Sequence, residues 1–290
     1  MSIISRRLML KQSAALLAAT PCISHLDILE SSASTYQIGA CDWSIGGHSD
    51  VEVLAFASKI GLDGVQVSLG TSENDMHLRQ REIQQAYKKA AKKYGVKISS
   101  LAIGELNKVP YKSAPETEAW VSDSIDVAEA MEVSVVLLAF FGKGDLKDDR
   151  QGTLEVIRRL KKVAPKAEAK GVILGIESWL SADEHLEIID AVGSPNVRVY
   201  YDVANSHKMG YDIYQEMQDL GNEYICEVHA KENGYLLGQG EVNFPRLRGI
   251  LQDIGYNGWI IIEGATPKNM EILPAYRQIL AFVRQTFNRS

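Results

Sequence analysis

Four short runs decide the fold: Val172-Ile-Leu-Gly-Ile-Glu177, Val197-Arg-Val-Tyr-Tyr-Asp202, Ile225-Cys-Glu-Val-His229 and Trp259-Ile-Ile-Ile-Glu263. Each is apolar, brief and rich in β-branched or aromatic residues, the pattern of a buried strand. Each ends in a carboxylate or an imidazole, and a stretch with helical spacing follows. Parallel barrels carry their active-site residues at the carboxyl ends of the strands. Four such ends bring Glu177, Asp202, His229 and Glu263 to one mouth. Three carboxylates and one neutral imidazole suit a single divalent cation, Mn2+ foremost, with Mg2+, Co2+ and Zn2+ also matching the donor set.

Outward from these runs the same alternation continues. Residues 36–42 read as strand one, with Trp43 just past its end. A helix over 50–60 follows, with Asp50 as N-cap and Gly61 as its stop. Strands are expected at 64–67, 96–102 and 133–140, and helices at 79–94, 115–131 and 151–170. Gly95 and Gly171 close the first and last of these helices. Between and after the four runs, helices are expected at 182–192, 211–220, 243–254 and 270–287. Eight strand–helix units fit a (β/α)8 TIM barrel. A doubly wound open sheet is the competing architecture, but no glycine-rich phosphate loop follows strand one. No Pro/Gly/Ser-rich linker interrupts the pattern, so residues 35–290 form a single TIM-barrel domain.

The N-terminus differs in kind. Ser5-Arg-Arg-Leu-Met-Leu-Lys11 has the form of a twin-arginine export motif, and a weakly apolar run follows over 14–19. That run is too short to span a bilayer. Residues 1–34 therefore read as a signal peptide and short linker, the protein as exported and periplasmic, without stable membrane insertion after signal removal. The alternative is an ordinary amphipathic helix. Cys22 lies in this segment; Cys41 and Cys226 read as buried small residues rather than a disulfide framework. A net charge of −6 offers no broad attraction to nucleic acid or to an anionic membrane.

Side chains two apart on a strand share a face, which points Arg198 and Glu227 into the barrel below the ligand quartet, where they are expected to pair. Glu105 follows strand three and could face the site, but reads as a surface residue; the histidines at 25, 48, 77 and 185 lie off the strand ends and read as surface residues too.

Further segments carry a family resemblance. Gly175-Ile-Glu-Ser178, Tyr201-Asp-Val-Ala-Asn205, Val228-His-Ala-Lys-Glu232 followed by Leu237-Gly-Gln-Gly-Glu-Val-Asn-Phe244, and Ile261-Ile-Glu-Gly264 resemble the sugar phosphate isomerase/epimerase superfamily of xylose-isomerase-like TIM barrels. The resemblance covers the whole chain after the leader. It implies one divalent ion held by Glu177, Asp202, His229 and Glu263, and an enediolate formed from a keto-sugar. Glu177 and Glu263 would form the acid/base pair, one removing a carbon-bound proton and the other returning it. It also implies a homo-oligomer, since members often form dimers or tetramers.

The sequence departs from the family in two places. Asn205 stands where ketose epimerases often carry a substrate-binding histidine, with His207 two residues on. Gln66 stands where strand two often ends in glutamate. Asn205, His207 and Gln66 remain candidates for sugar hydroxyls, Lys231 for a substrate oxygen, and Trp43 and Trp179 for stacking on a sugar ring. The leading function is an isomerase or epimerase of a free sugar, keto-sugar or keto-glycoside, because export argues against a phosphorylated substrate. A lyase or dehydratase using the same metal site is the alternative. A non-catalytic sugar-binding protein and an endonuclease IV-like nuclease rank lower, the latter because it needs several more histidines and a basic groove.

Overall fold

The apolar runs and the amphipathic stretches between them alternate eight times, and the chain closes accordingly. The computed structural model describes residues 36–288 apart from 265 and 268. The strands are β1 (Ile38–Cys41), β2 (Gly64–Ser68), β3 (Lys97–Ile103), β4 (Val135–Phe140), β5 (Ile173–Ser178), β6 (Val197–Asp202), β7 (Ile225–Ala230) and β8 (Ile260–Ile262). They pair in sequence order, all parallel, and β1 closes the barrel on β8. The helices are α1 (Val53–Ile60), α2 (Arg81–Tyr94), α3 (Glu116–Met131), α4 (Arg150–Lys170), α5 (Ala182–Val192), α6 (Val203–Lys208), α7 (Ile213–Tyr224), α8 (Phe244–Asp253) and α9 (Ile272–Phe287). The twin-arginine motif, Cys22 and His25 lie outside the described residues.

Helix boundaries follow local chemistry. Ser181 and Glu184 form a reciprocal capping box at the start of α5. Asp149 caps α4 by accepting from Gly152 N, and Asn243 caps α8 by accepting from Arg246 N. Gly61, Gly95 and Gly171 end their helices in the left-handed conformation, as expected from sequence. The main core lies between barrel and helices, with Val121, Ile125 and Ala128 of α3 among its buried residues. Each fully buried Val, Leu or Ile there contributes roughly 1.5–3 kcal/mol. A smaller cluster holds Ala102, Val135, Leu137, Ala139 and Tyr200.

The barrel interior is partly polar, and its packing depends on Gly175. A Cβ there would lie 2.8 Å from Cys226 Sγ and 3.2 Å from Tyr200 Cβ, so a larger residue would displace the thiol and crowd Tyr200. The pairing register shifts beside Gln66 on β2 and beside Tyr200 on β6. Such irregularities re-aim side chains; these two residues are hydrogen-bonded to each other across the interior.

Several expectations are corrected. Glu227 does enter the barrel, but it takes hydroxyl donors, Ser100 Oγ at 2.7 Å and Tyr200 OH at 2.8 Å, instead of Arg198. Arg198 sits near the start of β6 and donates from Nε to Pro195 O at 3.1 Å, where it remains half-exposed. Strand parity gave the face but not the depth. Glu105, His77 and His185 are buried, not surface residues. His185 is fixed by Ser178 Oγ and Ser181 O, each 2.9 Å away, and burial lowers its pKa to about 4. Helix α6 was not expected at all. It starts because the Asp202 side chain accepts from Ala204 N and Asn205 N. Cys41 is buried and Cys226 half-buried, both as free thiols.

Candidate active site

The ends of β5, β6 and β7 and the residue after β8 bring four ligand atoms together. One atom each from Glu177, Asp202, His229 and Glu263 lies within 4.8 Å of all the others. His229 Nδ1 is 2.9 Å from Glu177 Oε1 and 3.4 Å from Glu263 Oε2. Asp202 uses Oδ1 to cap α6, at 2.9 Å from both backbone nitrogens. Its Oδ2 is buried and accepts no hydrogen bond. That oxygen has the Lys231 ammonium 3.3 Å away but no hydrogen bond, and in a cluster of three carboxylates and an imidazole it fits a site able to hold a metal ion.

A family model described as a xylose isomerase-like TIM barrel matches residues 54–286. The chain belongs to that family. Among curated relatives of this xylose isomerase-like barrel is a 2-epi-5-epi-valiolone 7-phosphate 2-epimerase from Actinoplanes sp., 23% identical over 214 residues, covering 71% of this chain and 78% of the relative. Among solved structures, a D-psicose 3-epimerase crystallised with D-fructose superposes with a TM-score of 0.73 at 16% identity, covering 87% of this chain and 100% of that one. The 3-keto-D-glucoside 4-epimerase of E. coli also gives 0.73 at 16% identity, covering 86% and 99%.

Charges in the cluster are strongly coupled. Burial pushes the Asp202 carboxyl up to about 7, despite the attraction of Lys231. Burial also opposes the charge on Glu263, but His229, Lys231 and the Trp43 indole outweigh it and hold that carboxyl near 2. Burial works against a charged His229, yet Glu177, Glu263 and Asp202 raise its pKa overall. Lys231 has the same balance: burial lowers it, and Asp202, Glu263 and Glu177 raise it well above its ordinary value. Its Nζ lies 2.8 Å from Glu263 Oε2 and 3.3 Å from Asp202 Oδ2. The lysine is thus an internal counter-ion for two of the four prospective ligands.

Beneath His229 runs a chain of hydrogen bonds. The imidazole Nε2 is 2.9 Å from Gln66 Oε1. Gln66 Nε2 donates to Ser100 Oγ at 3.2 Å and to Tyr200 OH at 3.0 Å. Both hydroxyls donate in turn to Glu227 Oε2. With Gln66 Oε1 as acceptor, Nε2 carries a proton, and Nδ1 is the nitrogen that faces the cluster. Burial raises Glu227 to about 7 despite the two hydroxyl donors. Gln66 is fully buried, with its amide engaged on both sides, so the structure places it under the imidazole and away from the substrate cleft.

Above the cluster opens a cavity of about 340 Å3. Trp43, Trp179, Asn205 and Lys231 line it together with Glu177 and Glu263. Trp43 Nε1 donates to Glu263 Oε1 at 3.0 Å, so this ring also orients a carboxylate. Trp179 meets Phe141 edge to face at 4.9 Å and carries Lys208 Nζ 5.1 Å from its ring centre. Asn205 is buried, and among the described residues only its backbone is hydrogen-bonded, which leaves its side-chain amide available to the cleft. His207 is not brought to this cavity. It faces Glu241 at 3.8 Å and lines a separate groove with Lys208, Glu232 and Tyr235.

On the far side of the cleft, sequence reasoning raised Glu105 but favoured a surface role for it, and missed Thr71, Asn107, Lys108 and Phe141. The signal was present. Glu105 and Asn107 directly follow β3, and Phe141 directly follows β4, where barrel sites are built.

Proposed function

We propose that this barrel is a divalent-metal-dependent epimerase or isomerase of a small carbohydrate. One observation carries the reading: Glu177 and Glu263, from β5 and the end of β8 across the mouth, flank one imidazole and also line the cleft. Superposition on several sugar epimerases supports it. A metal ion bound by Glu177, Asp202, His229 and Glu263 would supply Lewis-acid stabilisation for negative charge on adjacent substrate oxygens. The chain's own groups do the rest. Glu263, held ionised by Lys231, His229 and Trp43, accepts a carbon-bound proton. Glu177 keeps one carboxyl oxygen free of protein partners among the described residues and, starting in its protonated form, gives a proton to the carbon from the other side. Lys231 places a cation beside the developing enediolate, and the Asn205 amide orients a hydroxyl.

The test is solvent exchange. Keto-sugars and keto-glycosides incubated in D2O with Mn2+-loaded protein should take up deuterium at the epimerised carbon, and Glu177→Gln and Glu263→Gln should each lower the rate by about 100-fold or more. Loss of a β-substituent without deuterated epimer would identify a lyase. Sugar binding without any exchange would leave a binding protein.

We also propose export through the twin-arginine motif at 5–11. Among the described residues, no helix is long and apolar enough to cross a membrane. Cell fractionation of wild type and of an Arg6→Lys, Arg7→Lys variant tests this; equal cytoplasmic retention of both would refute export.

A further inference from the structure

The ligand cluster occupies only one half of the barrel mouth, the half built by β5 to β8. The same cavity continues over the other half, where residues after β2, β3 and β4 line it: Thr71, Glu105, Asn107, Lys108 and Phe141. Two of these side chains are held in place by the fold. Glu105 is only 6% exposed, and its Oε1 accepts from Ser72 Oγ at 2.6 Å and from Ser72 N at 3.3 Å. Asn107 Oδ1 accepts from Phe141 N at 2.8 Å, which fixes the amide, while its nitrogen has no protein partner among the described residues. A fixed acceptor and a fixed donor at one end of a cavity are what hydroxyl groups recognise.

Charge decides between the ligands that this end fits. Each lysine lining the cleft among the described residues is already paired, Lys108 with Glu105 at 3.4 Å and Lys231 with Glu263 at 2.8 Å. The lining carries three carboxylates, Glu105, Glu177 and Glu263, against those two lysines. His48 also lines the cavity, but among the described residues a phosphate here would find no lysine or arginine free of a carboxylate and would meet net negative charge. A neutral polyol meets no such penalty. Phe141 and Trp179, packed edge to face after β4 and β5, stand between the two ends of the cleft and offer apolar surface to a sugar ring.

We propose that the β2–β4 half of the mouth is a second sugar subsite, so that the substrate is a neutral glycoside with one unit at the ligand cluster and its linked unit at Glu105 and Asn107. This rests on the carbohydrate reading above and narrows it.

Binding, measured apart from turnover, tests the subsite. Calorimetric titration of the Mn2+-loaded protein would use glucose, glucose 6-phosphate, and the glucose disaccharides maltose, trehalose, cellobiose and laminaribiose. At least one disaccharide should bind about tenfold or more tightly than glucose. Glu105→Gln and Asn107→Ala should each remove most of that gain and leave glucose binding unchanged. Glu105→Gln retains an acceptor for Ser72, and its thermal midpoint checks that it folds. Disaccharides no tighter than glucose, a preference for glucose 6-phosphate, or a gain that survives both substitutions would overturn the proposal. Tight disaccharide binding with no solvent exchange on any keto-glycoside would instead sink the epimerase reading and leave the subsite standing.

Discussion

Asp202→Asn should make the metal-free protein more stable at alkaline pH. In the wild type, burial raises this carboxyl from 3.8 to about 7. A group raised in the folded state gives its full stability below its unfolded value, and that stability is lost as pH rises through the folded value. At about 1.4 kcal/mol per pH unit, keeping Asp202 ionised at pH 8.5 costs roughly 4 kcal/mol. Asparagine removes the charge and keeps the Oδ1 acceptor that caps Ala204 N and Asn205 N at 2.9 Å. The lost attraction to Lys231, 3.3 Å away, is already contained in that net value. A gain of about 2–4 kcal/mol corresponds to a rise in midpoint on the order of 5–10 °C. Thermal unfolding of chelator-treated protein at pH 5 and pH 8.5 measures it. The variant should exceed the wild type at pH 8.5 and approach it at pH 5. Asp42 and Glu227, raised by burial to about 6 and about 7, are common to both proteins and cancel in the comparison. Excess Mn2+ should then stabilise the wild type and leave the variant unchanged. A variant no more stable than wild type at pH 8.5 would refute the burial argument.

Other predictions concern the same cluster. Mn2+ affinity should rise between pH 6 and pH 8, because the raised His229 and Asp202 must both be unprotonated to act as ligands; calorimetry in buffers of different ionisation heat should show proton release. Gln66→Leu leaves His229 Nε2, Tyr200 OH and Ser100 Oγ without a partner they now have. It should destabilise the protein by about 2–4 kcal/mol and weaken metal binding by about 10–100-fold, read by denaturant unfolding and metal titration. Trp43→Phe removes the 3.0 Å donor to Glu263 Oε1 while keeping a ring in the cleft. Its kcat should fall about tenfold with little change in KM, the pattern of a misplaced base.

Much of this was legible in the sequence, for definite reasons. The four clustered residues could be found because each lies at or beside the carboxyl end of a strand, and in a parallel barrel the strand end fixes both direction and neighbours. Gln66 was harder. It too lies near a strand end, but it pairs with Tyr200, a residue 134 positions away, beside register shifts between β2 and β3 and between β6 and β7 that no local pattern reveals. Arg198 shows the same limit, since alternation along β6 gives a face and says nothing about depth in the barrel. His207 falls outside the cleft because Asp202 starts α6 and turns the next residues into a helix, which carries Asn205 toward the cavity and His207 toward Glu241. Glu105 is buried through Ser72, in the loop after β2, and loop-to-loop contacts of this kind leave no periodic trace.

The most direct test of the account is the metal content of the purified protein after incubation with Mn2+, measured by elemental analysis beside Asp202→Ala. The geometry of Glu177, Asp202, His229 and Glu263 predicts about one divalent ion per chain in the wild type and loss of that ion in the variant. No bound metal in the wild type after incubation with Mn2+, Co2+ or Zn2+, or equal metal in both proteins, would contradict it.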